Sequence, residues 1–350
     1  MNRIQWVVLA AMITASPTSQ AGIVNLGTAN GYNVFVLGDN TQSNTRSEGK
    51  VAVGGNANFG GNYSVASALS ASGTNLVVGK NYSNTYGSVN GSVVVGGTAT
   101  INGPTINGNL NANGDVKLSG YGTISGALGY GGSLSNPNTV IGGTVAHGTT
   151  SLPVAFDAEK TYLTSLSSEL SKTIGNTYGN GVTYQYGGLT LTGTASDVNV
   201  FTIKGSDLAS TNNMKINATA GSTVVINVDG ASDQIQNFGF TLTGVDRQRV
   251  LFNFHQATSL TLSGVGIQGS ILAPNAAISF NNSTIDGTIV GRSISGNGAA
   301  NNFSFAGDLS ALVGPTVTPG VVPEPATILS TVIGLALIGG ASHHQRRRTA

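Results

Sequence analysis

Brief clusters of Val, Ile and Leu alternate with corners rich in Gly and Asn along most of the chain. From Asn33 to Val145 the β-forming segments are Asn33–Leu37, Val51–Val53, Leu76–Val78, Val93–Val95, Asp115–Leu118 and Thr139–Ile141. Val51-Ala52-Val53-Gly54-Gly55-Asn56-Ala57 returns as Val93-Val94-Val95-Gly96-Gly97-Thr98-Ala99, with Val77-Val78-Gly79-Lys80-Asn81 between them. Rungs of about 16–25 residues satisfy this spacing. The pattern predicts a mainly β chain built as a right-handed parallel β-solenoid, or β-helix, in which each rung hides its apolar face only by stacking on the next. A sandwich of short hairpins is the alternative, and the turn pairs Asn90-Gly91, Asn102-Gly103 and Asn107-Gly108 would suit it.

Pro153 to Ile174 breaks the rhythm. Phe156, Leu163, Leu166, Leu170 and Ile174 fall on one stripe at helical spacing. Asp157 and Glu159 stand early and Lys172 late, as the helix dipole favours, and Gly175-Asn176 supplies a stop. One long α-helix packed along the β stack is expected here. Strands then return at Leu189–Leu191, Asn199–Ile203, Thr223–Val228, Val250–Phe254, Leu260–Leu262, Ile267–Leu272, Ile278–Phe280 and Ile285–Val290.

The two ends read differently. Arg3, the apolar run Trp6–Ile13 and the small residues Ser19-Gln20-Ala21 predict a secretory signal peptide over 1–21, cut after Ala21. Residues 22–312 make the β-rich domain, and 313–322 (VGPTVTPGVV) a stiff Pro/Gly/Thr linker. Residues 323–350 hold Pro323-Glu324-Pro325, an uncharged run over 326–341, and Arg346-Arg347-Arg348. As a helix the run is about 24 Å long, marginal for a membrane span, and the arginines would stay cytoplasmic. Pro-Glu-Pro, a transmembrane segment and terminal arginines, in that order, resemble the PEP-CTERM sorting signal. That resemblance implies recognition of Pro323, Glu324 and Pro325 by an exosortase, after a signal peptidase has acted at the other end.

Asn33–Asp39 followed by Glu48–Asn56, and Gly269–Ala276 followed by Ile285–Val290, resemble the opening and close of the choice-of-anchor A family domain. This resemblance implies surface display and leaves activity open; the sorting-signal resemblance implies an exported protein at the surface of, or released from, a Gram-negative-type cell, from a precursor held transiently in the inner membrane. The layout of strands, one long helix and further rungs is also similar to that of ice-binding and adhesin β-solenoids, which bears on fold alone.

Composition narrows the function. Charged residues are 8% of the chain and glycines number 51. With Arg3, Arg346, Arg347, Arg348 and Glu324 set aside from the 15 basic and 14 acidic residues, 11 and 13 remain. A slightly acidic domain excludes a polybasic nucleic-acid surface. There is no cysteine, which excludes thiol catalysis, disulfides and Cys-ligated metal. No metalloprotease, serine-hydrolase or phosphate-loop motif is present. His147 and His255 are the two histidines outside the C-terminal tail, and His255 reads as a buried, hydrogen-bonded residue rather than a catalytic one. Asp39 and Glu48 are the candidates for a glycosidase-type carboxylate pair, with loop capping the commoner role for isolated acids. Asp229-Gly230-Ala231-Ser232-Asp233 offers oxygens for Ca²⁺ but lacks the further acids of a tight site, so an ordinary turn is favoured. No cofactor, metal or catalytic residue is expected, and the chain is read as no enzyme. The Thr-x-Thr steps place Thr190, Thr192 and Thr194 on one strand face, with Thr241, Thr243 and Thr261 in similar steps. These six are the candidate binding face. The expected function is a non-enzymatic structural or adhesive protein associated with exopolysaccharide or biofilm. An ice- or glycan-binding β-solenoid is the alternative, and a glycan-active enzyme a third reading.

Overall fold

The computed structural model describes residues 24–313. The signal segment, most of the linker, Pro323-Glu324-Pro325, the 326–341 run and Arg346–Arg348 lie outside them. Among the described residues no helix is long and apolar enough to cross a membrane.

Strands stack in parallel, rung on rung. Val34–Val36, Val51–Val53, Thr74–Val78, Ser92–Val95, Leu110–Ala112, Leu128–Tyr130 and Val145–His147 pair in succession. Bonds between equivalent corner residues span 17, 18 or 25 positions. Each full rung has three sides, giving sheets of 20, 9 and 5 strands. The long strands Ser270–Asn281 and Ile289–Gly296 turn a corner without a break, which joins two sides into the 20-stranded sheet. Pairing in the two larger sheets is parallel. An antiparallel hairpin, Gly181–Gln185 with Gly188–Thr192, sits in the smallest. The sandwich alternative, which needs such hairpins throughout, is thereby excluded.

The stack does not follow chain order. Val34–Val36 lies between Val51–Val53 and Ile289–Gly296, so the first rung is in the middle. The chain builds outward from there to Val145–His147. The helix α1 (Phe156–Lys172) carries it back past its starting point, and the later strands descend to meet the first rung. A second, short helix, α2 (Gly205–Ala209), takes the place of a strand at the far end and packs on Ser232–Gln236.

The three sides differ in what covers them. On the first, here the covered face, the outward residues Phe35, Ala52, Val225, Leu251, Leu272 and Val290 meet Tyr162, Leu163, Leu166 and Leu170 of α1. The strands beneath α1 are therefore buried on both faces and read as largely apolar runs, whereas Val145–His147 at the outer end is exposed. The second, the open face, alternates core and solvent positions, as in Ala57–Gly60 and Ala99–Asn102. The third face is built from very short strands such as Arg46–Ser47 and Ser64–Val65.

One sequence expectation about α1 fails. Ile174 does not share its stripe, because the helix closes at Lys172 with Thr173 as cap, and Ile174 is 98% exposed. The buried stripe includes Tyr162 and Glu159 instead. Glu159 accepts hydrogen bonds from the Thr28 backbone N–H and hydroxyl. Burial pushes its carboxyl above the usual range, and the Thr28 bonds oppose that shift.

Candidate functional site

The open face presents one row of small polar side chains. In stack order its outward positions are Gln234, Thr261, Ser279, Ser295, Thr41, Asn58, Ser83, Thr100, Lys117 and Ser135. At about 4.8 Å between strands the row is about 43 Å long. Most members sit between two buried residues, for example Ala99 and Ile101 around Thr100, so packing of the neighbours fixes their orientation. Lys117 is the single charge in the row, and Asp115 of the same rung pairs with it at 3.4 Å. Hydrogen bonds from Ser133, together with Lys117, hold the Asp115 carboxyl below its usual range. The face is thus close to neutral along its length.

Its edge is pinned by a side-chain ladder. The Asn56 N–H donates to Asp39 Oδ1 at 2.7 Å, the Asn81 N–H to Asn56 Oδ1 at 3.3 Å, and the Thr98 N–H to Asn81 Oδ1 at 3.0 Å. The Ser133 N–H repeats the form on Asp115 at 2.8 Å. Neutral amides can stack this way at every rung, whereas like charges in register would repel. A shallow depression on this face is lined by Thr41, Asn44, Asn58, Gly60, Ser295 and Asn297.

The six threonines proposed from sequence do not share one face. Thr190 and Thr241 align through Lys215, and Thr192 and Thr243 through Asn217, on the five-stranded sheet. Thr194 is exposed just past the end of the strand Gly188–Thr192. Thr261 alone belongs to the open face, because the chain turns two corners, by way of the covered-face strand Val250–Asn253, between the strands Gly239–Thr243 and Ser259–Ser263. Sequence reading missed Thr41, Asn58, Ser83 and Thr100. Their signal was present in Ala57-Asn58-Phe59, Ala99-Thr100-Ile101 and Val116-Lys117-Leu118, a polar residue between two core residues shortly after a Gly-containing corner.

Asp39 caps the Asn56 corner, while Glu48 pairs with Arg46 at 3.2 Å and accepts from the Asn302 N–H. They stand at different corners of the rung, so they form no carboxylate pair. His147 is exposed, its ring edge-on to Tyr130. His255 is not the hydrogen-bonded residue expected: its Nε2 lies 3.7 Å from Asp229 Oδ1, and its buried Nδ1 meets no partner among the described residues. Asp229 and Asp233 are joined by no third acid or imidazole in a metal-holding group among the described residues.

Asp233 instead points into the core, in register with Leu260 and 5% exposed, with both oxygens unpartnered. Burial, and then the Asp229 charge, push its carboxyl above the usual range. A raised acid pKa means the folded state holds the proton more tightly. Its destabilising effect therefore grows as pH rises from the ordinary aspartate value through the raised one. Asp233→Leu is expected to raise the thermal midpoint at pH 7 and to lose that advantage below about pH 4, as measured by denaturation across pH.

Residues 25–302 match the model of the family described as "Putative Ice-binding-like adhesive domain". The chain belongs to this family. No curated protein matches the sequence. Among solved structures, an ice-binding protein from an Antarctic bacterium of the Flavobacteriaceae is similar at 13% identity, over 77% of this chain and 80% of that one, with a TM-score of 0.29. An ice-binding protein from the Antarctic ascomycete Antarctomyces psychrotrophicus is similar at 14% identity, over 82% and 98%, with a TM-score of 0.24.

Proposed function

We propose that this member of the ice-binding-like adhesive family is an exported, non-enzymatic surface or matrix protein whose open face lies along neutral exopolysaccharide. The observation that carries the reading is the ten-rung row of hydroxyl and amide groups with its one cation already paired. A neutral array of donors and acceptors suits a hydroxyl-rich polymer and has nothing to offer a polyanion. The family description supports adhesion. The signal-like segment ending at Ala21, the Pro323-Glu324-Pro325 motif and Arg346–Arg348 support export, with signal peptidase and exosortase as processing partners. We read the stack as a right-handed solenoid, stiff enough to hold the row straight.

Affinity electrophoresis of the purified full chain through gels containing neutral polysaccharide tests this. The wild type is expected to be retarded, and Ser83→Glu with Thr100→Glu to weaken the interaction about tenfold, roughly 1.4 kcal/mol. Unretarded wild-type protein sinks the reading. Ice is the second reading, favoured by the regular hydroxyl spacing of the same row; measurable thermal hysteresis of the wild type, abolished by the double substitution, would establish it instead.

A further inference from the structure

At the corner between the open and third faces the backbone turns through the left-handed region in successive rungs. Asn44 (φ 53°), Gly61 (φ 53°), Gly103 (φ 64°) and Gly120 (φ 68°) occupy it, as expected of residues that tolerate that region. Tyr86 is the exception. Its φ is 57°, and it aligns with Gly103 and Gly120 through the pairings of Thr85 with Asn102 and of Asn102 with Ser119. A bulky residue held in this conformation is strained, and strain retained at an exposed position points to use.

Tyr86 is 63% exposed, and Tyr121, directly after Gly120, is 85% exposed. Neither side chain makes a hydrogen bond or ring contact among the described residues. The two lie two rungs apart, about 9.6 Å along the stack, with Gly103 between them. A Cβ on Gly103 would stand 2.7 Å from Tyr86 Cδ1, so the missing side chain is what lets the ring settle across the corner. Beside the rings run the outward polar groups Thr85, Asn102 and Ser119.

We propose that Tyr86 and Tyr121 form a stacking platform for alternate units of a neutral pyranose chain. The apolar C–H face of a sugar ring packs on an aromatic ring, while its hydroxyls need neutral donors and acceptors alongside, and this corner supplies both. An apolar protein partner would instead require a contiguous hydrophobic patch, and these rings are separated by glycine and bordered by hydroxyls and amides. The spacing suits alternate units of an extended glycan lying along the stack. The inference rests on the glycan reading of the open face and names additional residues for it.

The test uses the full chain and its Y86A, Y121A, Y86F and Y86N variants, electrophoresed through hydroxyethyl cellulose, dextran and a soluble β-1,3-glucan. Y86A and Y121A are expected each to weaken retardation at least fivefold on the polysaccharide that retards the wild type, and Y86F to retain it. Y86N is expected to lose retardation while raising the thermal midpoint, since Asn suits the conformation that strains Tyr. That divergence distinguishes a binding role from a structural one. Retarded wild type with unaffected tyrosine variants overturns the platform, and leaves the open-face reading intact if Ser83→Glu with Thr100→Glu still weakens retardation. Unretarded wild type on all three polysaccharides overturns both.

Discussion

Gly79→Val is expected to lower stability by about 3 kcal/mol or more, with a matching fall in the thermal midpoint. The reason lies in how consecutive rungs nest at the corner after the covered face. The Gly54 N–H donates to Val36 O at 2.7 Å, the Gly79 N–H to Val53 O at 2.7 Å and the Gly96 N–H to Val78 O at 2.8 Å. The next peptide oxygen therefore presses on each glycine. A Cβ on Gly79 would lie 2.3 Å from Gly54 O, and one on Gly96 2.2 Å from Gly79 O. Both obstacles are backbone already committed to rung pairing, so relief requires opening a corner. The demand here is for close approach, since none of the three glycines has a positive φ. Gly148 supplies the control: nothing lies within 4 Å of its added Cβ, and Gly148→Ala is expected to change stability by under about 0.5 kcal/mol. A Gly79→Val protein that denatures with the wild type would refute this account of the corner.

Those same corners explain what could be read from the chain beforehand. Val51–Val53 and Thr139–Ile141 have the bounds expected from sequence, because a doubly buried or well-bounded run needs no tertiary knowledge to be seen. The helix was legible through Leu163, Leu166 and Leu170, which all meet the covered face. Ile285–Val290 reads as one strand in the sequence but is two, Thr284–Asp286 and Ile289–Gly296; the corner signal is there in Asp286-Gly287, but β-forming residues on both sides mask it. Stack order was not legible at all. That Val34 pairs with Ile289 depends on where α1 sets the chain down, a long-range matter of packing. The separation of Thr261 from Thr241 has the same origin: both lie in Thr-Leu steps, and only the count of corners between them places one on each face. Tyr86 gave no warning either, because the left-handed conformation it holds is the one its residue type argues against.

Asn253→Ala is expected to loosen the helix that makes the out-of-order stack possible, at a cost of about 3 kcal/mol. Asn253 is fully buried beneath α1. Its Nδ2 donates to Ser167 O at 2.9 Å and to Asn227 Oδ1 at 2.8 Å, and its Oδ1 accepts from the Ser167 hydroxyl at 2.6 Å. Asn227 Nδ2 in turn donates to Leu170 O at 2.9 Å. Two asparagines on adjacent rungs thus satisfy helix groups that no water reaches. Removing Asn253 strands the Ser167 hydroxyl and Asn227 Oδ1 together, and a half-satisfied buried network is worse than an apolar one. The leucine contacts of α1 remain, so the helix should detach locally before the rungs separate. Hydrogen exchange is expected to rise first across 163–172, and trypsin to cut earlier at Lys160 and Lys172. Loss of protection beginning instead in the rungs around Val93–Val95 would show that the asparagine pair does not hold the helix. Because α1 alone returns the chain to the far end of the stack, the helix contacts of Asn227 and Asn253 also help fix which rung the later half starts from.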